Sequence, residues 1–218
     1  MIISQKKPRE ELLAMLSGVK KAVLVGCGEC ATVCMTGGDE QLEEMKAFLE
    51  ENGISVLASL VSGTSCNKLL VKKELKEYKD AIAEADCIIS MSCGDGVQTV
   101  ASNVSIAVYP ANNTMFLGEV ERVGLFTEAC RFCGDCVLAN TGAICPITKC
   151  AKSLTSGPCG GAKGGHCEVN PDNRCAWIMI YEKLQSLGTL EKLDIMTEPK
   201  GFSDSAYPRT ISLRGSKE

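Results

Sequence analysis

The fold is decided by the stretch KKAVLVGCGECATVC, which runs from Lys20 to Cys34. After two lysines, residues 22–25 form an unbroken apolar run rich in valine, which is typical of a strand buried on both faces of a parallel sheet. Three thiols then fall within eight residues, at Cys27, Cys30 and Cys34. A strand that ends in such a loop places the thiols at the carboxyl edge of the sheet, where α/β proteins carry their sites.

Strands and helices alternate on both sides of this stretch. The sequence predicts strands at 21–26, 54–61, 86–92 and 106–111, and helices at 8–17, 38–52, 66–85 and 95–104. This alternation indicates a parallel sheet covered by helices. We therefore expect a Rossmann-like α/β domain built around residues 20–112.

The composition changes sharply after about residue 115. Eight cysteines fall within the 46 residues from Cys130 to Cys175, among Gly, Pro, Asn and Thr, and the apolar runs are too short for an ordinary core. Such a segment folds around metal, because metal binding supplies free energy that apolar burial cannot. The predicted domains are 1–114 (α/β), 115–200 (small, cysteine-rich and metal-binding, ending in a helix at 175–188) and 201–218 (an extended tail).

Charge and hydropathy exclude several classes of partner. The net charge is −4 and the pI about 5.3, which argues against nucleic acid. No apolar run approaches the ~20 residues that span a bilayer, and the N-terminus lacks the features of a signal peptide, so a cytoplasmic protein is expected. The 14 cysteines and single histidine favour all-thiolate metal sites in such a compartment, with iron–sulfur clusters first and four-thiolate zinc second.

The first predicted site is a [4Fe–4S] cluster at the sheet edge. Cys27, Cys30 and Cys34 supply three ligands, and Cys93 after the third predicted strand supplies the fourth, with Cys66 as its alternative. Zinc is the second possibility, and a redox dithiol at Cys27–Cys30 the third, since the latter leaves Cys34 without a role. A dinucleotide loop at G-x-G is disfavoured, because no acidic residue ends the second strand.

The second cysteine field offers two further ligand sets. Cys130, Cys133 and Cys136 form C-x-x-C-x-x-C, a strong iron–sulfur pattern, and Cys145 precedes a proline as remote cluster ligands often do. The other set, for a third cluster or for zinc, is Cys150, Cys159, Cys167 and Cys175, with His166 as a possible substitute. The chain is thus expected to hold one to three [4Fe–4S] clusters and a possible zinc. The strand residue Cys87 is expected to be a buried structural thiol.

Several segments together resemble a known family. These segments are GCGECATVC, MSCGDG, CRFCGDC, CPITKCAKSLTSGPCGG and CAWIMIYE. They are similar to the small cysteine-rich subunit, of the MetV type, of acetogen methylenetetrahydrofolate reductases, which is the C-terminal domain family of these reductases. The resemblance extends from about residue 10 to residue 200.

The resemblance implies a partner and a pathway. It implies an iron–sulfur, in some members zinc-containing, subunit that pairs with a flavin-bearing MetF catalytic subunit and with further electron-transfer subunits. The flavin and the reduction of methylenetetrahydrofolate, in the Wood–Ljungdahl pathway, would belong to MetF. The residues of this chain predict no catalytic site, because its paired carboxylates lie on solvated helix faces. Two alternatives stay open: a purely structural, metal-stapled docking subunit, and a free-standing enzyme that uses a zinc-bound thiolate.

Overall fold

The computed structural model describes residues 1–195, 198, 201 and 203–213, and it divides into two compact units, Met1–Thr127 and Glu128–Glu218. In the described ranges, no helix is both long and apolar enough to cross a membrane. The boundary predicted after residue 114 falls inside a strand, Asn112–Arg122. Residues 202 and 214–218 of the predicted tail lie outside the described residues.

The elements follow in chain order. The strands are β1 (Ile2–Lys6), β2 (Lys21–Cys27), β3 (Ser55–Ser62), β4 (Cys87–Met91), β5 (Ala107–Pro110), β6 (Asn112–Arg122) and β7 (Leu125–Cys130). The helices are α1 (Arg9–Met15), α2 (Cys30–Val33), α3 (Asp39–Glu51), α4 (Lys68–Leu75), α5 (Lys79–Glu84), α6 (Gly94–Ala101), α7 (Pro146–Lys149) and α8 (Ala176–Ser186). The helix predicted over 66–85 is divided by a 3-10 turn, Lys76–Tyr78. This break was not predicted, because the segment contains no proline or glycine.

The main sheet of unit 1 confirms the predicted α/β fold. Its four strands are all parallel, in the order β3-β2-β4-β5. Alternate residues of β2 point to opposite faces: Ala22 and Leu24 pack with α1 and α3, and Val23 and Val25 pack with α4 and α6. Because helices cover both faces, all four residues are fully buried, which explains the unbroken apolar run.

A second, three-stranded sheet in the order β1-β6-β7 was not predicted. Strand β1 pairs antiparallel with β6, with Ile2 opposite Leu117, and β6 turns into β7 through Val123 and Gly124, whose φ is 76°. Most of β6 is exposed, so its sequence lacks the apolar alternation that identifies a half-buried strand.

Unit 2 has little regular structure and a small apolar core. Helix α8, predicted over 175–188, supplies Trp177, Ile180 and Leu184, which form the buried cluster of this unit. Short helix α7 precedes it, and loops rich in positive-φ glycines carry the cysteines. The described part of this unit therefore buries far fewer apolar side chains than unit 1 does.

Candidate metal centres

The first candidate centre lies at the carboxyl edge of the main sheet. Strand β2 ends at Cys27, Cys66 follows β3, and Cys93 follows β4. Since these three neighbouring strands are parallel, their loops leave the sheet at the same edge, as the sequence predicted. Helix α2 then begins at Cys30 and is capped at its C-terminus by Cys34.

Close backbone contacts interlock the loops at this edge. The Cys27 N–H donates to the Gly37 carbonyl oxygen at 2.9 Å, and the Gly28 N–H donates to the Ser62 carbonyl oxygen at 2.8 Å. A Cβ at Gly37 would clash with the Met91 carbonyl oxygen, and a Cβ at Gly26 would clash with the Gly37 carbonyl oxygen. Glycine at 26 and 37 is therefore needed to bring the loop after Cys34 against the end of β4.

Strand β6 of the second sheet ties two of the thiol loops together. The Asn112 side-chain amide donates to the Thr36 carbonyl oxygen at 3.3 Å and to the Ser92 carbonyl oxygen at 3.4 Å. Thr114 Oγ1 accepts the Gly94 N–H at 2.7 Å, directly after Cys93. Asn112 is only 5 % exposed, and no described residue donates to its Oδ1. This strand thus positions the Cys34 and Cys93 loops, a role that could not be predicted from its residues.

Three thiols of the edge lie within electrostatic reach of one another. Partial burial raises the pKa of the Cys66 thiol, and the Asp95 carboxylate, Cys93 and Cys27 raise it further. Cys87 behaves differently, because it lies inside β4 with no exposed surface, and burial raises the pKa of its thiol to about 11. The prediction that Cys87 is a buried structural thiol is confirmed.

The second candidate centre is a small cavity in unit 2. Its volume is about 20 Å³, which is room for about one water molecule. All four members of one predicted ligand set line it, together with Trp177: Cys150, Cys159, Cys167 and Cys175. His166 is not part of the lining; its backbone forms β-bridges with Lys163 and Arg174.

Backbone amides point at several of the unit 2 sulfurs. The Gly161 N–H donates to Cys159 Sγ at 3.4 Å, and the Phe132 N–H donates to Cys130 Sγ at 3.4 Å. Backbone N–H groups of Asn170 and Val169 lower the pKa of the Cys167 thiol. Such N–H···S bonds favour the thiolate, which is the form that binds metal.

The remaining predicted ligands are less closely grouped. Cys130 and Cys136 are exposed, Cys133 is half-buried and donates to the Asp135 carbonyl oxygen at 3.6 Å, and Cys145 is the N-cap of α7. Within the described part of the chain, no three Cys, His, Asp or Glu side chains are placed so that they could hold a metal ion as they stand. Metal binding would require rotation of cysteine side chains, and every ligand set stays a prediction.

Two charged residues in the cavity lining were not predicted from the sequence. Lys152 and Glu168 form an ion pair there, and Glu168 Oε1 also accepts the Cys159 thiol proton at 3.5 Å. Lys152 is the main cause of the lowered pKa of Glu168, and Glu168 is the main cause of the raised pKa of Lys152. The sequence could not identify these residues as part of a site, because a lysine and a glutamate in a polar loop are usually solvated.

The fold and the two groups of thiols define a class of protein: an α/β domain followed by a cysteine-rich domain. Residues 109–203 match the family model described as "Methylene-tetrahydrofolate reductase C terminal". This segment is thus similar to that family, which supports the resemblance noted above at the level of the family. No curated protein matches the chain.

One solved structure, a cysteine mutant of arylmalonate decarboxylase in the sulfate ion associated form, is 17% identical to the chain. The match covers 47% of this chain and 46% of the decarboxylase, so the chain spans about half of its length. With a TM-score of 0.34, it is too weak to inform the fold or function described here.

Proposed function

We propose that the chain is the small iron–sulfur subunit of a methylenetetrahydrofolate reductase complex, of the MetV type. The observation that carries this proposal is the position of Cys27, Cys66 and Cys93 at one edge of the main sheet, after three neighbouring parallel strands. The second group of thiols lies inside the segment that is similar to the C-terminal family of these reductases. Its role would be electron transfer and assembly, and the reaction would take place on a partner.

The edge of the main sheet would hold one [4Fe–4S] cluster. Cys27, Cys30, Cys34 and Cys93 would be its ligands, and Cys66 is the alternative fourth ligand. The backbone contacts between Gly37, Met91 and the end of β2 support this assignment, because they fix the loops that carry these thiols. A bound cluster would supply one-electron transfer, with a potential set by N–H···S bonds and burial.

The metal in unit 2 is assigned by size. We assign zinc to the cavity set, since the cavity has room for about one ion, and a cluster there is the alternative. The ligands of a second cluster would then be Cys130, Cys133, Cys136 and Cys145. The hydrogen bond from the Phe132 N–H to the Cys130 sulfur supports this set.

The partner would be a flavoprotein of the MetF type in the cytoplasm. The flavin and the folate substrate would bind to that subunit, and further electron-transfer subunits would deliver electrons to this chain.

Metal content of the chain, purified without oxygen, tests the assignment. We expect at least four irons with matching sulfide, and one zinc per chain. Cys30→Ser should remove about four irons and leave zinc, whereas Cys167→Ser should remove zinc and leave the iron of the first cluster. Cys87→Ala is the matched control. This variant should keep both metals, because Cys87 is buried inside the sheet and is not a predicted ligand. A wild-type chain with fewer than four irons would refute the cluster.

The small apolar core of unit 2 favours a second candidate function. With Trp177, Ile180 and Leu184 as its buried cluster, this unit could use its metals only as structural staples in a docking subunit. Electron paramagnetic resonance during turnover with the flavoprotein separates the two functions. A cluster that is reduced and reoxidised at the turnover rate supports electron transfer, and one that stays in a single state supports the structural role.

A further inference from the structure

An ion pair stands beside one thiol of the unit 2 cavity. Lys152 and Glu168 both line the cavity, and one oxygen of Glu168, Oε1, pairs with the Lys152 ammonium and also accepts the Cys159 thiol proton. The second lysine in the lining, Lys149, is engaged elsewhere, because its ammonium donates to the Glu128 carbonyl oxygen at 3.0 Å. Lys163 also acts on the charge of Glu168, but Lys152 is the lysine that forms an ion pair with it and interacts with the Cys159 sulfur.

The turn after Cys159 is shaped to receive the Glu168 carboxylate. A Cβ at Gly161 would clash with that carboxylate, so a residue other than glycine would push Glu168 away. The same Gly161 donates its N–H to Cys159 Sγ at 3.4 Å. One glycine thus brings a backbone amide to the sulfur and a carboxylate to within 3.5 Å of it.

Binding of a metal changes the charges in this cluster. A thiol gives up its proton when it becomes a ligand, so the hydrogen bond from Cys159 to Glu168 is lost. A thiolate and a carboxylate would then face each other at close range, and two like charges that close repel, although solvent weakens the repulsion because both groups are partly exposed. A zinc ion carries two positive charges and four thiolates carry four negative ones, so the site stays anionic, and a cation beside Cys159 and Glu168 lowers the cost of keeping them close.

We propose that Lys152 is this cation: a positioning residue that bridges Glu168 and the Cys159 thiolate and so permits metal binding. The inference rests on the proposed metal site of unit 2. If so, removal of Lys152 lowers metal affinity only while Glu168 is present. The effects of the two residues on metal affinity are then coupled and do not add.

Zinc affinity of the full-length chain, measured by competition with a chromogenic chelator, tests this coupling. Lys152→Met should weaken zinc binding about 10- to 100-fold, which is the usual effect of removing an outer-shell partner. Lys152→Arg should stay within about threefold of wild type, because it keeps the charge. The double variant Lys152→Met with Glu168→Gln should regain most of the lost affinity, since it also removes the carboxylate that repels the thiolate. A purely structural role of Lys152 would not give this recovery.

Controls separate failure of this inference from failure of the proposed site. Lys149→Met should change affinity much less than Lys152→Met, as its ammonium is held by a backbone carbonyl. If wild-type chain binds no zinc, or if Cys167→Ser binds as tightly as wild type, the proposed site itself is wrong. If Cys167→Ser abolishes binding but Lys152→Met binds as wild type, or the double variant is no better than Lys152→Met, the role of Lys152 is refuted. Fluorescence of Trp177, the one tryptophan of the chain, checks that each variant is folded, and Lys152→Gln replaces Lys152→Met if the latter is not.

Discussion

Replacing Gly37 by alanine should damage the sheet-edge centre more than any comparable change nearby. The new Cβ would meet the carbonyl oxygen of Met91, which is fully buried in β4 and cannot move away. Non-bonded atoms prefer to stay about 3.5–4.0 Å apart, so the segment that carries Gly37 must shift outward. Ligands need to be held within about 0.5 Å of their working positions, and this segment begins at Cys34.

The expected magnitude follows from the packing. Overpacking of a tight contact costs about 1–3 kcal/mol, and the shift also strains the hydrogen bonds from Asn112 to the Thr36 carbonyl and from the Cys27 N–H to the Gly37 carbonyl. We therefore expect Gly37→Ala to lower the free energy of unfolding of unit 1 by at least about 1 kcal/mol. Urea unfolding followed by far-ultraviolet circular dichroism measures this change, and iron analysis measures the loss of the cluster.

Gly28→Ala is the matched control for Gly37→Ala. It lies beside Cys27 in the same set of loops, but its nearest neighbours, the Gly63 and Ser62 carbonyl oxygens, would be 3.4 Å from the new Cβ. That distance is close to an ordinary contact, so this variant should keep most of its stability and iron. If Gly37→Ala matched Gly28→Ala in both measurements, the interlocked arrangement of the edge would be refuted.

Two further predictions concern buried side chains. Leu184→Ala should destabilise unit 2 by about 2–5 kcal/mol, because the leucine has no exposed surface, and unfolding followed by Trp177 fluorescence would detect this. The Cys87 thiol, whose pKa is raised to about 11, should resist alkylation in the native chain at pH 8. The unfolded thiol ionises near pH 9 and the folded one near pH 11, so the free energy of unfolding should fall as the pH rises from about 9 to about 11. Cys87→Ala lacks this thiol, so its free energy of unfolding should fall less over the same range. Alkylation of native Cys87 as fast as of Cys66 would contradict its burial.

The main sheet was predictable because its strands are buried on both faces. The apolar residues at 22–25 and 87–89 lie between helical segments and therefore predict buried strands, and β2 and β4 follow the predicted ranges closely. Strand β6 was not predictable for the opposite reason. It is mostly exposed, and pairing with β1 stabilises it across more than a hundred residues of chain.

The same difference applies to the candidate centres. The position of Cys27, Cys66 and Cys93 at one edge follows from strand order alone, because each thiol lies just after a parallel strand. The partners Asn112, Lys152 and Glu168 act through contacts between segments that are distant in sequence, such as Lys152 and Glu168, which lie 16 positions apart. No periodicity records such contacts, so the supporting residues of a site emerge only from the structure.

The two units differ in how much of their stability a bound metal would have to supply. Unit 1 has two apolar clusters, one on each face of its sheet, so its fold has a source of stability that is independent of the thiols. The apolar cluster of unit 2 is small, and partly buried Cys150 and Cys175 pack against it directly. A metal held by these two thiols would extend that core, since ligand binding to the folded state alone adds to stability. A chelator should therefore unfold unit 2 first, with loss of the Trp177 signal, while the circular dichroism of unit 1 persists. Simultaneous loss of both signals would show instead that the sheet-edge thiols also depend on metal to hold their loops.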